Sequence, residues 1–515
     1  MSVARTWGVV LTGLQGDLVE VEADLSNQTP GFTIIGLADK AVGEAHQRVH
    51  NACANSALPL PRRKLTVNLS PANLPKHGSG LDVAMAVAAL ATEAPMDAVS
   101  LLSTVHIGEL GLDGRLRPVP GVLPAVAAAA RAGMQRVIVP WANRQEAELV
   151  PGVEVFGAVT LRDVLRRHGL ELAELEGADL EPVAAPPGRS ALDADELVPD
   201  LADVIGQRDA VDALVLAAAG GHHVLMSGPP GAGKTMLARR LPGILPDLDD
   251  DAAVQAASMR SLAGLPVTRL SRVAPFEAPH HSASVAALIG GGSRTVRPGA
   301  IARASGGVLF LDEAGEFAGH ALDSLRQPLE SGSIEIHRAG FRATFPARFQ
   351  LVLATNPCPC GNYGVPHAEC RCPSLAIRRY LGKLSGPLRD RIDIELSLQR
   401  VAVAQLRADD TSRVTSVDAR ARVLEARARA AVRLAQTPWR TNAEVSGAWL
   451  RDGPLAPEPI IRRPLDAALQ RGALTLRGYD RVLRVAWSHA DLSGRERLAV
   501  ADIGRALYLK RGTDR

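Results

Sequence analysis

The stretch Gly228-Pro229-Pro230-Gly231-Ala232-Gly233-Lys234-Thr235 concentrates residue types that can do chemistry. It fits the spacing G-x-x-x-x-G-K-[ST]. Val224–Ser227 before it reads as a short buried strand, and Met236–Arg240 after it as the start of a helix. A glycine-rich turn between such elements aims several backbone N–H groups at one point. That point lies at the positive end of the helix dipole and suits a phosphate. Lys234 would reach the β- and γ-phosphates and Thr235 would hold Mg²⁺, so the implied ligand is Mg-ATP. Lysine is scarce here beside arginine, and a lysine at this place suits a site that wants a compact ammonium.

Further groups complete that chemistry. Val308–Leu311 reads as a buried strand ending in Asp312-Glu313. In a parallel sheet the ligand lies at that end. Asp312 can complete the Mg²⁺ shell begun by Thr235, and Glu313 can polarise a water for attack on the γ-phosphate. Phe349–Thr355 is a second apolar run, ending in Asn356. Cys358-Pro359-Cys360 and Cys370-Arg371-Cys372 flank nine residues of a Gly/Pro-rich loop. Four thiols so spaced suit a structural Zn²⁺; a labile disulfide and four spectator thiols are the alternatives. His280-His281 reads as loop histidines held by hydrogen bonds, since no carboxylate or cysteine stands at ligand spacing.

These residues need a parallel α/β core at about 201–398, and the rest of the chain divides around it. Residues 1–175 alternate short strand-like and helix-like runs, as one α/β or α+β domain should. A Pro- and acid-rich linker at 176–200 follows. Residues 399–515 read as a helical lid, with a long Arg/Ala-rich helix at Val417–Ala435 capped by Ser416. An apolar fraction of 46% is ample for real cores, and the 3% of aromatics leaves them to Ala, Leu, Val and Ile. The net charge of +3 does not announce a nucleic-acid partner, so any basic surface must be local. No apolar run reaches the roughly 18 residues of a membrane span, and no secretory signal is visible. Four of the five cysteines sit in one cluster, which argues against a disulfide scaffold. The expected location is cytoplasmic.

Several segments resemble known families. Val204-Ile205-Gly206-Gln207 resembles the element that packs on adenine in AAA+ ATPases. Asn356 matches the sensor 1 position, and Arg391 in Ser385–Asp393 matches the arginine finger supplied to the next subunit, with Arg389 as local rival. Arg477 matches the sensor 2 position, expected to reach the nucleotide of its own subunit. Two insertions, Ala278–Gly299 and Ile334–Arg342, fall where the Mg-chelatase, MoxR and MCM branch carries pore loops. The resemblance therefore implies that Arg294, Arg297, Arg338 and Arg342 contact a threaded DNA backbone. In the front domain, Pro75–Gly80 and Gly108–Gly121 resemble the proteolytic domain of Lon-type proteases. Gly80 occupies the expected serine position, one place from Ser79, and Leu123 the expected lysine position. The implied reading is that fold without its peptidase chemistry. Cys53 is expected to be a small buried residue.

Over nearly its whole length the chain resembles the YifB/ComM family of Mg-chelatase-like AAA+ ATPases. The resemblance implies a hexameric DNA helicase that drives branch migration of incoming DNA. The alternative is a Mg-chelatase-type motor acting on a metal-insertion or protein client.

Overall fold

The computed structural model describes residues 3–37, 39–174, 180–184, 198–292, 296–338, 341–365, 368–401 and 413–510. Most of the expected linker, Arg294 and the second-insertion residues Ala339 and Gly340 lie outside them, as does the side chain of Arg338.

The front domain is built on a seven-stranded mixed sheet. Ala4–Thr12 and Gln15–Ser26 pair antiparallel across the Gly13-Leu14 turn. Lys64–Ser70 continues that sheet antiparallel to Gln15–Ser26, and Gly31–Ile35 closes the edge in parallel. On the other side Thr104–His106, Arg136–Pro140 and Glu154–Ala158 add parallel strands. The expected helix at 81–91 forms as Asp82–Leu90, and every residue in it is buried. A helix apolar all round must sit inside a core. Cys53 is buried in the same core. Burial pushes its thiol up to about 12, so it is an inert packing residue.

The second sheet has five parallel strands in the order Phe276–Glu277, Val308–Leu311, Gln350–Thr355, Val224–Ser227, Ile394–Ser397. All six residues of Gln350–Thr355 and all four of Val308–Leu311 are buried. A parallel sheet covered on both faces needs such continuous apolar runs. The lid helices Ser416–Leu434 and Leu476–Leu492 pack on the helix Arg208–Gly220 of this core. Trp487 is buried there, with the Arg433 guanidinium 4.3 Å from its ring. The cap of the first lid helix is Thr415, one residue before the expected Ser416. Ser416 instead accepts the Leu201 N–H at 2.7 Å, fastening the lid to the start of the core.

The front domain is seated on the core. The Gly121 N–H donates to the Ser261 carbonyl at 3.1 Å, and Ala257 and Val267 join the apolar cluster under Val122–Arg131. At Gly121, φ is +83° and an added Cβ would come within 2.9 Å of Leu262. Only glycine allows that approach. Gly13, at the tip of the first front hairpin, stands equally close to the Thr344 backbone of the second insertion.

Candidate active site

The sheet register explains how the chemical groups meet. Ser227 pairs with Thr355, and the Gly228 N–H donates to the Thr355 carbonyl at 3.2 Å. The glycine-rich loop and Asn356 therefore leave the sheet side by side. Gly233, with φ +89°, caps the helix Lys234–Ile244 and turns the loop into it. The Lys234 ammonium donates to the Gly228 carbonyl at 2.6 Å, the Pro229 carbonyl at 3.0 Å and the Asn356 Oδ1 at 3.0 Å. Burial lowers its pKa from the usual lysine value, against the opposing pull of Asp312 and Glu313. Asn356, expected from its strand end and its match to the sensor 1 position, touches the lysine.

Asp312 and Glu313 end the strand on the far side of Gln350–Thr355. The Thr235 hydroxyl donates to Asp312 Oδ2 at 2.6 Å. A hydroxyl beside a carboxylate is a pair of hard oxygen donors, and it fits Mg²⁺. Glu313 has φ +52°, a left-handed conformation rare for a non-glycine residue. Such backbone conformations gather at functional sites. The Glu313 N–H donates to Asp312 Oδ1 at 2.9 Å, which fixes the turn. The Glu313 carboxylate meets His281 Nδ1 at 3.0 Å. The first insertion thus reaches the site. His280 is a hydrogen-bonded loop histidine, on the Ser282 hydroxyl at 2.8 Å, whereas His281 faces Glu313. The spacing of the histidines gave no hint of this, because the carboxylate stands more than thirty residues on.

The adenine-side segment is tied to the loop by Gln207. Its amide donates to the Gln399 carbonyl at 2.6 Å and the Ala232 carbonyl at 3.4 Å. Ile205 and Gly206 are half-buried beside it.

The arginines form a separate group. Arg391 pairs with Glu330 and lines a cavity of about 230 Å³ with Arg477, Arg481 and Arg484. Glu330, Asp390 and Asp480 also line it, and no residue of the phosphate loop does. Burial, then the charges of Arg477, Arg481 and Arg326, lower the Arg391 pKa. Arg389 pairs instead with Glu395 at 3.0 Å and does not line the cavity. Arg477 was expected beside the nucleotide of its own subunit. The structure instead groups it with Arg391, because the helix Leu476–Leu492 packs against the core so that its first turn faces the Arg391 segment. The buried Asp393 anchors this arrangement through Arg481, at 2.5 Å.

Of the expected DNA-contacting arginines, Arg297 is exposed at the end of a short antiparallel pair with Gly290–Gly291. Arg342 is exposed on the hairpin Ser333–Arg338/Phe341–Pro346 and pairs with Glu335 at 2.5 Å. In the front domain the Ser79 hydroxyl donates to Glu109, and Leu123 is fully buried. Among the described residues no helix is long and apolar enough to cross a membrane.

Comparison with known proteins finds matches along most of the chain. The model for "Magnesium chelatase, subunit ChlI" matches residues 200–406. "Subunit ChlI of Mg-chelatase" matches 21–143, and the ChlI C-terminal model matches 413–510. The competence protein ComM of Haemophilus influenzae is 40% identical over 511 residues, 98% of this chain and 97% of its own. This chain belongs to the YifB/ComM family. An uncharacterized family protein of Mycobacterium tuberculosis is 46% identical over 515 residues, 99% of each chain. YifB of Escherichia coli is 38% identical over 486 residues, 93% of this chain and 91% of its own.

Proposed function

We propose that this YifB/ComM protein is an ATP-hydrolysing ring motor, a hexamer that moves DNA through its pore and promotes branch migration of incoming DNA. One observation carries the ring. Lys234, Thr235, Asp312, Glu313 and Asn356 converge, while Arg391 and Arg477 line a different cavity. An arginine needed at the γ-phosphate but held away from its own phosphate loop has to serve a neighbouring subunit. In this reading Arg391 and Arg477 arrive together from the next protomer and stabilise charge on the transferring phosphate.

Within one subunit the roles follow from the contacts. The loop N–H groups and Lys234 bind and orient the phosphates. Mg²⁺, held by Thr235 and Asp312, would neutralise charge on the β- and γ-oxygens. Glu313 takes the proton of the attacking water, and Asn356 positions that water while fixing Lys234. Gln207 with Ile205 and Gly206 forms the adenine side.

The DNA reading is supported by the name of the ComM relative, a competence protein, and by the exposed Arg297 and Arg342 of the two insertions. The front domain serves as a Lon-like fold that lacks the dyad, consistent with Ser79 bonded to Glu109 and a buried Leu123. The second reading, a chelatase-type motor on a metal-insertion or protein client, is favoured by the names of the three matching family models. ATP-dependent unwinding of three- and four-stranded DNA junctions separates the two. The purified ring should unwind them with DNA-stimulated ATPase, and Glu313→Gln should bind ATP but lose turnover by about a hundredfold or more. A confirmed ring that hydrolyses ATP without responding to DNA would leave the chelatase-type reading.

A further inference from the structure

The four clustered cysteines have no part in the hydrolysis described above. They are free thiols. Cys358 Sγ lies 3.3 Å from Cys360 Sγ and 3.7 Å from Cys370 Sγ, and Cys360 and Cys370 are 3.7 Å apart. With Cys372, all four sulfurs lie within 4.8 Å of one another. A disulfide needs about 2.05 Å. Four sulfurs around one tetrahedral Zn²⁺ at about 2.3 Å stand about 3.8 Å apart, close to the 3.3–3.7 Å among Cys358, Cys360 and Cys370. Cys358 is fully buried, and its sulfur accepts the Tyr363 N–H at 3.3 Å. Such a backbone donor orients a thiolate and stabilises its charge. The two cysteine pairs, each with a one-residue gap, are brought together across the loop between them. The Asn362 side chain reaches across it to the Glu369 carbonyl at 3.4 Å.

The position of the cluster gives it a task. Cys358 is two residues beyond Asn356, whose side chain holds Lys234. Gly361, with φ +78°, lies against the phosphate loop itself: an added Cβ would stand 2.4 Å from Pro230 Cδ and 2.7 Å from Cγ. The knuckle therefore touches the loop on one side and carries the asparagine on the other.

We infer that Cys358, Cys360, Cys370 and Cys372 bind one Zn²⁺, and that this knuckle is a strut setting Asn356 and the phosphate loop in register through the Gly361–Pro230 contact. The metal site stands on the thiol geometry alone. The strut rests on the nucleotide reading of the loop. Its residues are positioning residues, since none touches the reacting atoms.

Metal analysis of the full chain, purified without chelator, should find about one zinc per chain. Zinc-edge X-ray absorption should report four sulfur neighbours at about 2.3 Å. Fewer than about half an equivalent, with four thiols free to react, overturns the metal site. Cys360→Ser with Cys372→Ser should abolish zinc binding; retained stoichiometric zinc also overturns it. The strut is tested by Gly361→Ala, whose methyl presses on Pro230 while leaving the thiols in place. It should keep its zinc and bind a fluorescent ATP analogue about tenfold more weakly. Full zinc with unchanged ATP affinity overturns the strut and leaves the metal site. A wild-type chain that holds zinc and binds no ATP overturns the nucleotide reading, and the strut with it.

Discussion

At the scale of single residues, the contact between His281 and Glu313 asks most of the site. A general base must present its carboxylate to a water in one geometry. The left-handed Glu313 backbone sets the direction of the side chain, and the His281 ring at 3.0 Å sets where its oxygens rest. The His280 ring, 4.0 Å away, backs it. His281→Ala should therefore lower kcat for ATP about tenfold or more and leave KM within about twofold, because His281 touches the base and not the phosphate loop. His281→Gln, which keeps a donor near the carboxylate, should recover part of the rate. Steady-state ATPase kinetics decide it; an unchanged kcat in His281→Ala would remove the histidine from the mechanism.

At the scale of elements, the two insertions behave as one surface. A Cβ at Gly290 would lie 3.2 Å from Ile336 of the hairpin, so the short pair at 290–298 is packed against the longer one. Arg297 and Arg342 are exposed on this joined surface. Each should make one phosphate contact with single-stranded DNA in the proposed function. Arg297→Ala and Arg342→Ala should each weaken binding regardless of sequence and reduce the slope of log K against log salt by about one. ATPase without DNA should stay at the wild-type level. Arg342 already has a partner in Glu335, so Glu335→Gln should strengthen DNA binding by freeing it. Binding titrations across a salt series measure all three.

At the scale of the whole molecule, two expectations concern how parts combine. Rings mixed from Lys234→Ala and Arg391→Ala subunits should recover about a quarter of wild-type ATPase, the random share of complete sites. Rings mixed from Arg391→Ala and Arg477→Ala should stay inactive, because both arginines belong to the same face. Activity in that second mixture would return Arg477 to the nucleotide of its own subunit. The other expectation concerns acid. In the front domain His106 Nε2 meets His168 Nε2 at 2.8 Å, with Thr6 and Ser100 on their outer nitrogens at 2.9 Å. Burial pushes His106 down to about 3 and His168 to about 4. The folded pair thus stays neutral where the unfolded chain takes up protons. Its stability is intact above about pH 6.5 and falls as the pH drops towards 4, by up to about 1.4 kcal/mol per pH unit for each ring. Thermal unfolding followed from pH 7.5 to 4.5 should show that loss, and His106→Gln should flatten it.

Local spacing alone picked out the phosphate loop, the Asp312-Glu313 strand end, the apolar run that ends in Asn356 and the four-cysteine set. Each of those features is written within one short segment, where turn chemistry and apolar runs leave few conformations. The buried strands were legible for the same reason: a parallel sheet covered on both sides demands unbroken apolar runs. The tertiary structure decided what meets what. Arg477 carries no mark in its own helix of which residues that helix faces; the packing of the lid on the helix Arg208–Gly220 places it beside Arg391. His281 and Glu313 are brought together by two loops leaving neighbouring strands, and Gly361 and Pro230 by a knuckle folded over a turn more than a hundred residues earlier. Contacts between distant segments depend on how whole elements stack, and side-chain type at either end does not encode the partner.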